Sequence, residues 1–228
     1  METSSFLKNT PWDSTILGID TYEILSLSPE AIHAALSKPG HYTIKIDPLA
    51  PKKILHENGF YYCDTLIEPY CCIENYIFFE NDAINISNQI PINNLLAICH
   101  EAFIHGRFHR DFNIKKEYAE QRYINWLTQL HQSNNVYALL YKQNIAGFIA
   151  IQKEKLVLHA LSEKYRGQGL AKFFWSRMCK ELFEKGNIEL TSSISASNLA
   201  IVNLYASLGF RFRNAVDVYH FYNGKGKK

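Results

Sequence analysis

The sequence predicts an α/β (α+β) protein in two parts: a smaller N-terminal α/β domain over residues 1–88 and a second domain over residues 89–228. Three observations carry this. Short β-favouring runs alternate with helical runs along the chain. A turn-rich link, Ser87-Asn-Gln-Ile-Pro-Ile-Asn93, interrupts them. An apolar strand at residues 156–161 runs into a glycine loop that opens directly into an amphipathic helix.

In the first part, residues 21–27 read as a strand. Pro29 opens a helix through Ala31, Ile32, Ala35 and Leu36, which Gly40 ends. Residues 41–46 alternate as a strand does, and residues 51–58 form a short helical segment closed by Gly59. Residues 60–67 and 73–79 read as two further strands. In the second part, residues 92–103 have a helical period and residues 106–113 are a polar, aromatic loop. Residues 114–131 form an amphipathic helix. Residues 136–141 and 145–151 make a hairpin around Lys142-Gln-Asn. After the strand at 156–161 come a helix at 169–185, a strand at 188–194 and a helix at 198–208 stopped by Gly209. Residues 210–213 and 216–222 close the chain as two strands.

The glycine loop carries the chemistry. Arg166-Gly-Gln-Gly169-Leu-Ala171 leaves backbone N–H groups unpaired at a helix start, where the macrodipole adds positive potential. Gly167 and Gly169 lack a Cβ, so the backbone can approach phosphate oxygens, and Arg166 adds a fixed cation. The plain alternative is a strand-to-helix turn.

Composition narrows the function classes. The 228 residues are 47% hydrophobic and 20% charged, with a net charge of +2, too small to argue for nucleic acid. No apolar run approaches the ~20 residues of a membrane span. Five cysteines without a CxxC pair argue against a disulfide framework or zinc motif. With no signal-peptide pattern at Met1-Glu-Thr-Ser-Ser, the expectation is a cytoplasmic protein. The His100, His105, His109 series lacks ligand geometry, so no metal site is expected.

The second part is similar to the GNAT superfamily of acyl-CoA transferases. The resemblance rests on Arg166-Gly-Gln-Gly169-Leu-Ala171 with Leu161 upstream, followed about 30 residues on by Asn198 and Tyr205 within Asn198-Leu-Ala-Ile-Val-Asn-Leu-Tyr-Ala-Ser-Leu-Gly-Phe210. It covers residues 93–222. It implies a mixed, mostly antiparallel, splayed central sheet and acetyl-CoA as cofactor. Gly106-Arg-Phe-His-Arg-Asp-Phe112, Pro11-Trp-Asp13 and His56-Glu-Asn-Gly-Phe-Tyr-Tyr-Cys-Asp-Thr65 resemble segments of bacterial dTDP-amino-sugar N-acetyltransferases of the dTDP-fucosamine type. In those enzymes the N-terminal domain is a degraded relative of the catalytic one. The acceptor implied is the amine of a nucleotide-linked amino sugar. Homodimers are common in the family, though no residue of this sequence identifies one.

By that resemblance, Leu161, Arg166, Gly167, Gln168, Gly169, Leu170, Ala171 and Asn198 bind the cofactor. Leu161 would offer its backbone to the pantetheine arm, with Val157 on its face and Leu158 and Ala160 on the other. Tyr205 is the candidate general acid, since a phenol of pKa near ~10 can protonate a thiolate. The alternative for Tyr205 is a core aromatic, and for Asn198 a helix N-cap. His159 is the candidate base, with a hydrogen-bonded core histidine as its alternative. Arg107, His109 and Asp111 are candidate acceptor-binding residues, and Glu101 lies beside them. Arg107, Arg110 and Arg122 either meet the acceptor's diphosphate or form local ion pairs. Other readings are an acetyltransferase acting on a protein N-terminus, a polyamine or a drug, and a non-catalytic acyl-CoA-binding protein.

Overall fold

The computed structural model describes residues 6–100 and 102–224. In chain order the elements are β1 (Leu7–Asn9), α1 (Pro11–Leu17), β2 (Thr21–Ile24), α2 (Pro29–Leu36), β3 (Gly40–Ile46), α3 (Lys53–Glu57), β4 (Tyr61–Cys72), β5 (Ile84–Ser87), α4 (Asn93–His100), α5 (Lys116–Gln132), β6 (Val136–Tyr141), β7 (Asn144–Gln152), β8 (Lys155–Leu161), α6 (Ala171–Glu184), β9 (Glu189–Ser192), β10 (Ile194–Ser195), α7 (Leu199–Ser207) and β11 (Arg211–Asn223). They fall into two compact units. One comprises Met1–Leu66, His105–Arg122 and Ala215–Lys228; the other comprises Ile67–Ile104 and Tyr123–Asn214. This division differs from a single cut near residue 88. The strands β4 and β11 each begin in one unit and end in the other, so strand continuity overrides the turn-rich link.

In the first unit the strand order is β1-β2-β3-β11-β4. β2 and β3 are parallel, and helix α2 connects them. Ser28 caps that helix by accepting from the Ala31 amide, and Pro29 takes its first position. Its buried face, Ala31, Ile32 and Ala35, packs with Tyr22, Ile44, Leu55 and Phe60. The helix stops at Leu36, before Gly40, which instead begins β3. β3 then pairs antiparallel with the end of the chain, from Ile46↔Asp217 to Gly40↔Asn223.

In the second unit the order is β4-β9-β8-β7-β6-β5. All neighbours are antiparallel except β8 and β9. Strand alternation serves two cores. Leu139, Ile149 and Leu156 meet α6 through Phe174, Trp175 and Met178. On the opposite face Ala138, Leu140, Phe148 and Leu158 meet Leu95, Leu127 and Leu130 of α4 and α5. Residues 73–79, expected as a strand, form a short 3₁₀ turn (Ile73–Asn75) and an irregular segment. The two strands expected at 210–213 and 216–222 are the single strand β11.

Sterics fix Gly209 and Gly147, where an added Cβ would meet backbone oxygen. Gly209 ends α7 with φ +87°, and a Cβ there would overlap the Asn75 carbonyl oxygen. Gly186 has φ +95° but open space around it. Gly209→Ala is therefore expected to lower stability by about 2–4 kcal/mol, strain and overlap together, and Gly186→Ala by only ~1 kcal/mol. Urea unfolding midpoints of the two variants check this; equal losses would mean that the Asn75 contact is unimportant.

Candidate active site

The site begins with a break in strand pairing. β8 and β9 run parallel for only two rungs, Lys155↔Thr191 and Leu156↔Ser192. The next residue of β8, Val157, is a bulge: Ala150 pairs with Leu158 and Ile151 with Leu156, leaving Val157 without a partner on β7. Bulges bend the strand that holds them, and this one falls where β8 leaves β9. It also changes which side chains share a face. Val157 packs with Leu158 and Ala160, whereas Leu161 belongs to the opposite core, contrary to the pairing of Val157 with Leu161 expected from strict alternation. Ser192 Oγ closes the last rung by donating to the Leu156 carbonyl at 2.8 Å.

Beyond the bulge, β8 delivers the chain to the glycine loop. Arg166 Nε donates to the Leu161 carbonyl at 2.8 Å, which holds the arginine beside the strand end. That carbonyl, expected to meet the pantetheine arm, already carries one hydrogen bond and keeps one lone pair. Gly167 and Gly169 both adopt φ +71°. The backbone amides of residues 167–170 donate to no protein group among the described residues. Residues 167–169 are exposed, Leu170 is buried and Ala171 opens α6 half-buried. Four free amides at a 14-residue helix start, with no atom within 4 Å of a Cβ at either glycine, form an open anion cradle. These residues fit a diphosphate such as that of coenzyme A. Asn198 caps α7, its Oδ1 accepting from the Ile201 amide.

Tyr205 and His159 come together in the same unit. Tyr205, from α7, is fully buried, and its Oη lies 3.2 Å from His159 Nε2. Burial holds the phenol above its ordinary value, so it stays protonated. Burial also pushes His159 down to about 4, so it is neutral at pH 7. The Trp175 indole stands edge-on to His159 at 5.0 Å. Its Nε1 is buried with no hydrogen-bond partner among the described residues. Sequence reasoning missed Trp175 and Ser192, which resemble ordinary core residues at a helix start and a strand end.

Arg107, His109 and Asp111 lie in the other unit. Asp111 is buried and carries four hydrogen bonds: from His41 Nε2 (2.8 Å), His220 Nδ1 (2.6 Å), the Tyr61 hydroxyl (2.9 Å) and the Asn113 amide (2.8 Å). These four bonds engage the carboxylate within the protein, where an acceptor ligand had been expected. Burial alone would raise its pKa; the hydrogen bonds from His220 and His41 outweigh that and hold it well below the usual carboxylate range. His109 is half-buried and its pKa lowered by desolvation. Arg107 stacks over Phe108 at 4.9 Å. Arg110 pairs with Asp64 and Arg122 with Asp13, which supports the local ion-pair reading for both. Glu101 lies outside the described residues.

Residues 109–219 match the family model of the acetyltransferase (GNAT) domain. The fold is shared with solved structures of low identity. A GCN5-related N-acetyltransferase from Sphaerobacter thermophilus aligns at TM-score 0.58 and 11% identity, over 84% of this chain and 62% of that one. A tandem GNAT protein from the clavulanic acid biosynthesis pathway aligns at TM-score 0.55 and 10% identity, over 92% and 77%. A glucosamine N-acetyltransferase region of a fungal multi-domain β-N-acetylglucosaminidase aligns at TM-score 0.61 and 10% identity, over 89% and 30%. This chain thus spans under two thirds of the Sphaerobacter protein's length. No curated protein matches it. Residues 109–219 are thus similar to the GNAT acetyltransferase domain, and the fold is that of the solved GNAT structures. Among the described residues no helix is long and apolar enough to cross a membrane.

Two outcomes follow from the geometry. Gly169→Ala meets open space, so it should cost only ~1 kcal/mol of stability, yet crowd the cradle and weaken acetyl-CoA binding by about 10-fold or more; calorimetry checks this, and unchanged affinity would remove the loop from cofactor binding. His159 and His220 are both pushed down to about 4 by burial, against 6.5 when exposed. The unfolded chain then binds more protons than the folded one between these values, so stability is full above pH 6.5 and falls as pH drops toward 4. Urea midpoints from pH 7 to 4 should show this slope, and His159→Gln should flatten it by about one proton.

Proposed function

We propose that this protein transfers an acetyl group from acetyl-CoA to the amine of a nucleotide-linked amino sugar. The observation that carries the transferase reading is the parted strand pair β8/β9 with the open amide cradle at 167–170 and Tyr205 in one unit. Acetyl-CoA supplies the acyl thioester. Arg166 and the amides of 167–170 bind and orient its diphosphate. Tyr205 Oη holds a proton for the departing sulfur. His159 orients that hydroxyl; as a weak base it is poorly suited to strip a proton from an ammonium ion, so the acceptor amine reacts after losing its proton to solvent.

The sugar acceptor is supported by the likeness of the Gly106–Phe112 loop to the amino-sugar enzymes and by the shared fold of the fungal glucosamine N-acetyltransferase region. Incubation with labelled acetyl-CoA and a panel of amines tests it: a dTDP-4-amino-4,6-dideoxyhexose, glucosamine, a peptide N-terminus and spermine. Turnover on the nucleotide sugar at least ~10-fold above the others is expected, and preference for peptide or polyamine would refute the acceptor while leaving the transferase class. Tyr205→Phe should keep acetyl-CoA affinity and lose about 10²–10⁴ in kcat; unaltered turnover would exclude it as the acid.

A further inference from the structure

A second cluster of chemistry-bearing side chains lies in the first unit, apart from the glycine cradle. His41 Nε2 and His220 Nδ1 both meet Asp111 Oδ2. Their rings stand 4.7 Å apart at 80°, so they approach the carboxylate from different directions. The exposures are 2%, 0% and 2% for His41, His220 and Asp111. One donor atom from each residue falls within 4.8 Å of the others. None of the four groups that hydrogen-bond the buried Asp111 carboxylate is a lysine or arginine. A cation at this point would offset a buried charge.

We propose that His41, Asp111 and His220 form a binding site for a divalent transition metal of the zinc type. Two imidazole nitrogens and one carboxylate oxygen suit zinc, cobalt or nickel and not magnesium or calcium, which take oxygen ligands. Four-coordinate zinc with bonds of ~2.05 Å needs ligand atoms about 3.3 Å apart. The present separations of 2.8 and 2.6 Å must therefore open by roughly half an ångström. Metal binding requires the two ring nitrogens that now face Asp111 to give up their protons. At His220 the other ring nitrogen, Nε2, makes no hydrogen bond, so none is lost there. The fourth ligand is water. A cavity of about 30 Å³ adjoins His41, lined also by threonines 10, 21 and 43 and by the charged Glu23, Lys45 and Arg107, and has room for a water. Tyr61, donating to Asp111 Oδ1, is the outer partner that fixes the carboxylate.

The test uses the full-length, untagged protein after chelator treatment, titrated with cobalt(II) chloride. A visible d–d absorption that saturates at one equivalent and is displaced by zinc is expected. Saturating zinc should raise the melting temperature by several degrees. His220→Gln and Asp111→Asn should abolish the absorption. Because either change can disturb folding, Tyr61→Phe provides a milder variant, expected to weaken cobalt affinity about 10-fold with an unchanged circular dichroism spectrum. No absorption in the folded wild type, a band surviving in folded His220→Gln, or unaltered affinity in Tyr61→Phe would each overturn the site.

Discussion

The geometry of the second unit depends on one limit: β8 stays beside β9 for two rungs only. Had the parallel pairing continued, the strand edge from Val157 to Leu161 would be buried in the sheet. The bulge at Val157 ends it. The fixed end is secured by Ser192, whose hydroxyl satisfies the Leu156 carbonyl, so the parting leaves no buried acceptor bare at that point. From there the strand hands the chain to Arg166 and the two glycines. Their φ values turn four amides outward instead of back into the structure.

The same parting sets the environment of Tyr205. Its ring is packed among Phe210, His159 and the α6 core, with only the hydroxyl engaged in a polar contact. A buried phenol beside a neutral imidazole is a protonated donor over the whole neutral range. Neither partner changes charge near pH 7. If the proposed transfer takes place here, the ionisation that shapes its rate near neutrality belongs to the incoming amine rather than to this pair.

Much of the second unit was legible in local pattern. The glycine loop, the Asn198/Tyr205 helix and the hairpin at 136–151 each depend on residues close in sequence, and each lies where the pattern puts it. Most strand and helix identities were legible for the same reason, although β1, α1 and β5 were not anticipated. Three further things were not legible. The bulge at Val157 breaks the two-residue period without a glycine or proline to mark it. The irregular segment after β4 is as apolar and aromatic as a strand, yet the Tyr76 hydroxyl and the Phe79 amide bond to Ser176 on α6 rather than to a strand ladder. Apart from the local Asn113 amide, the surroundings of Asp111 come from positions 41, 61 and 220, and no spacing rule links such distant residues. The loop residues around it read as polar and open because side-chain type alone does not reveal burial.

The pairing of β3 with β11 has a consequence for how the chain acquires its structure. Residues 40–46 leave the ribosome long before residues 217–223, their sheet partners. The first unit therefore cannot complete its sheet until residues 217–223 have been made, although N-terminal segments ordinarily fold first. The intervening segments Ile67–Ile104 and Tyr123–Asn214 hold the whole second unit, which can assemble earlier. Until then β3 waits with one strand edge unmatched.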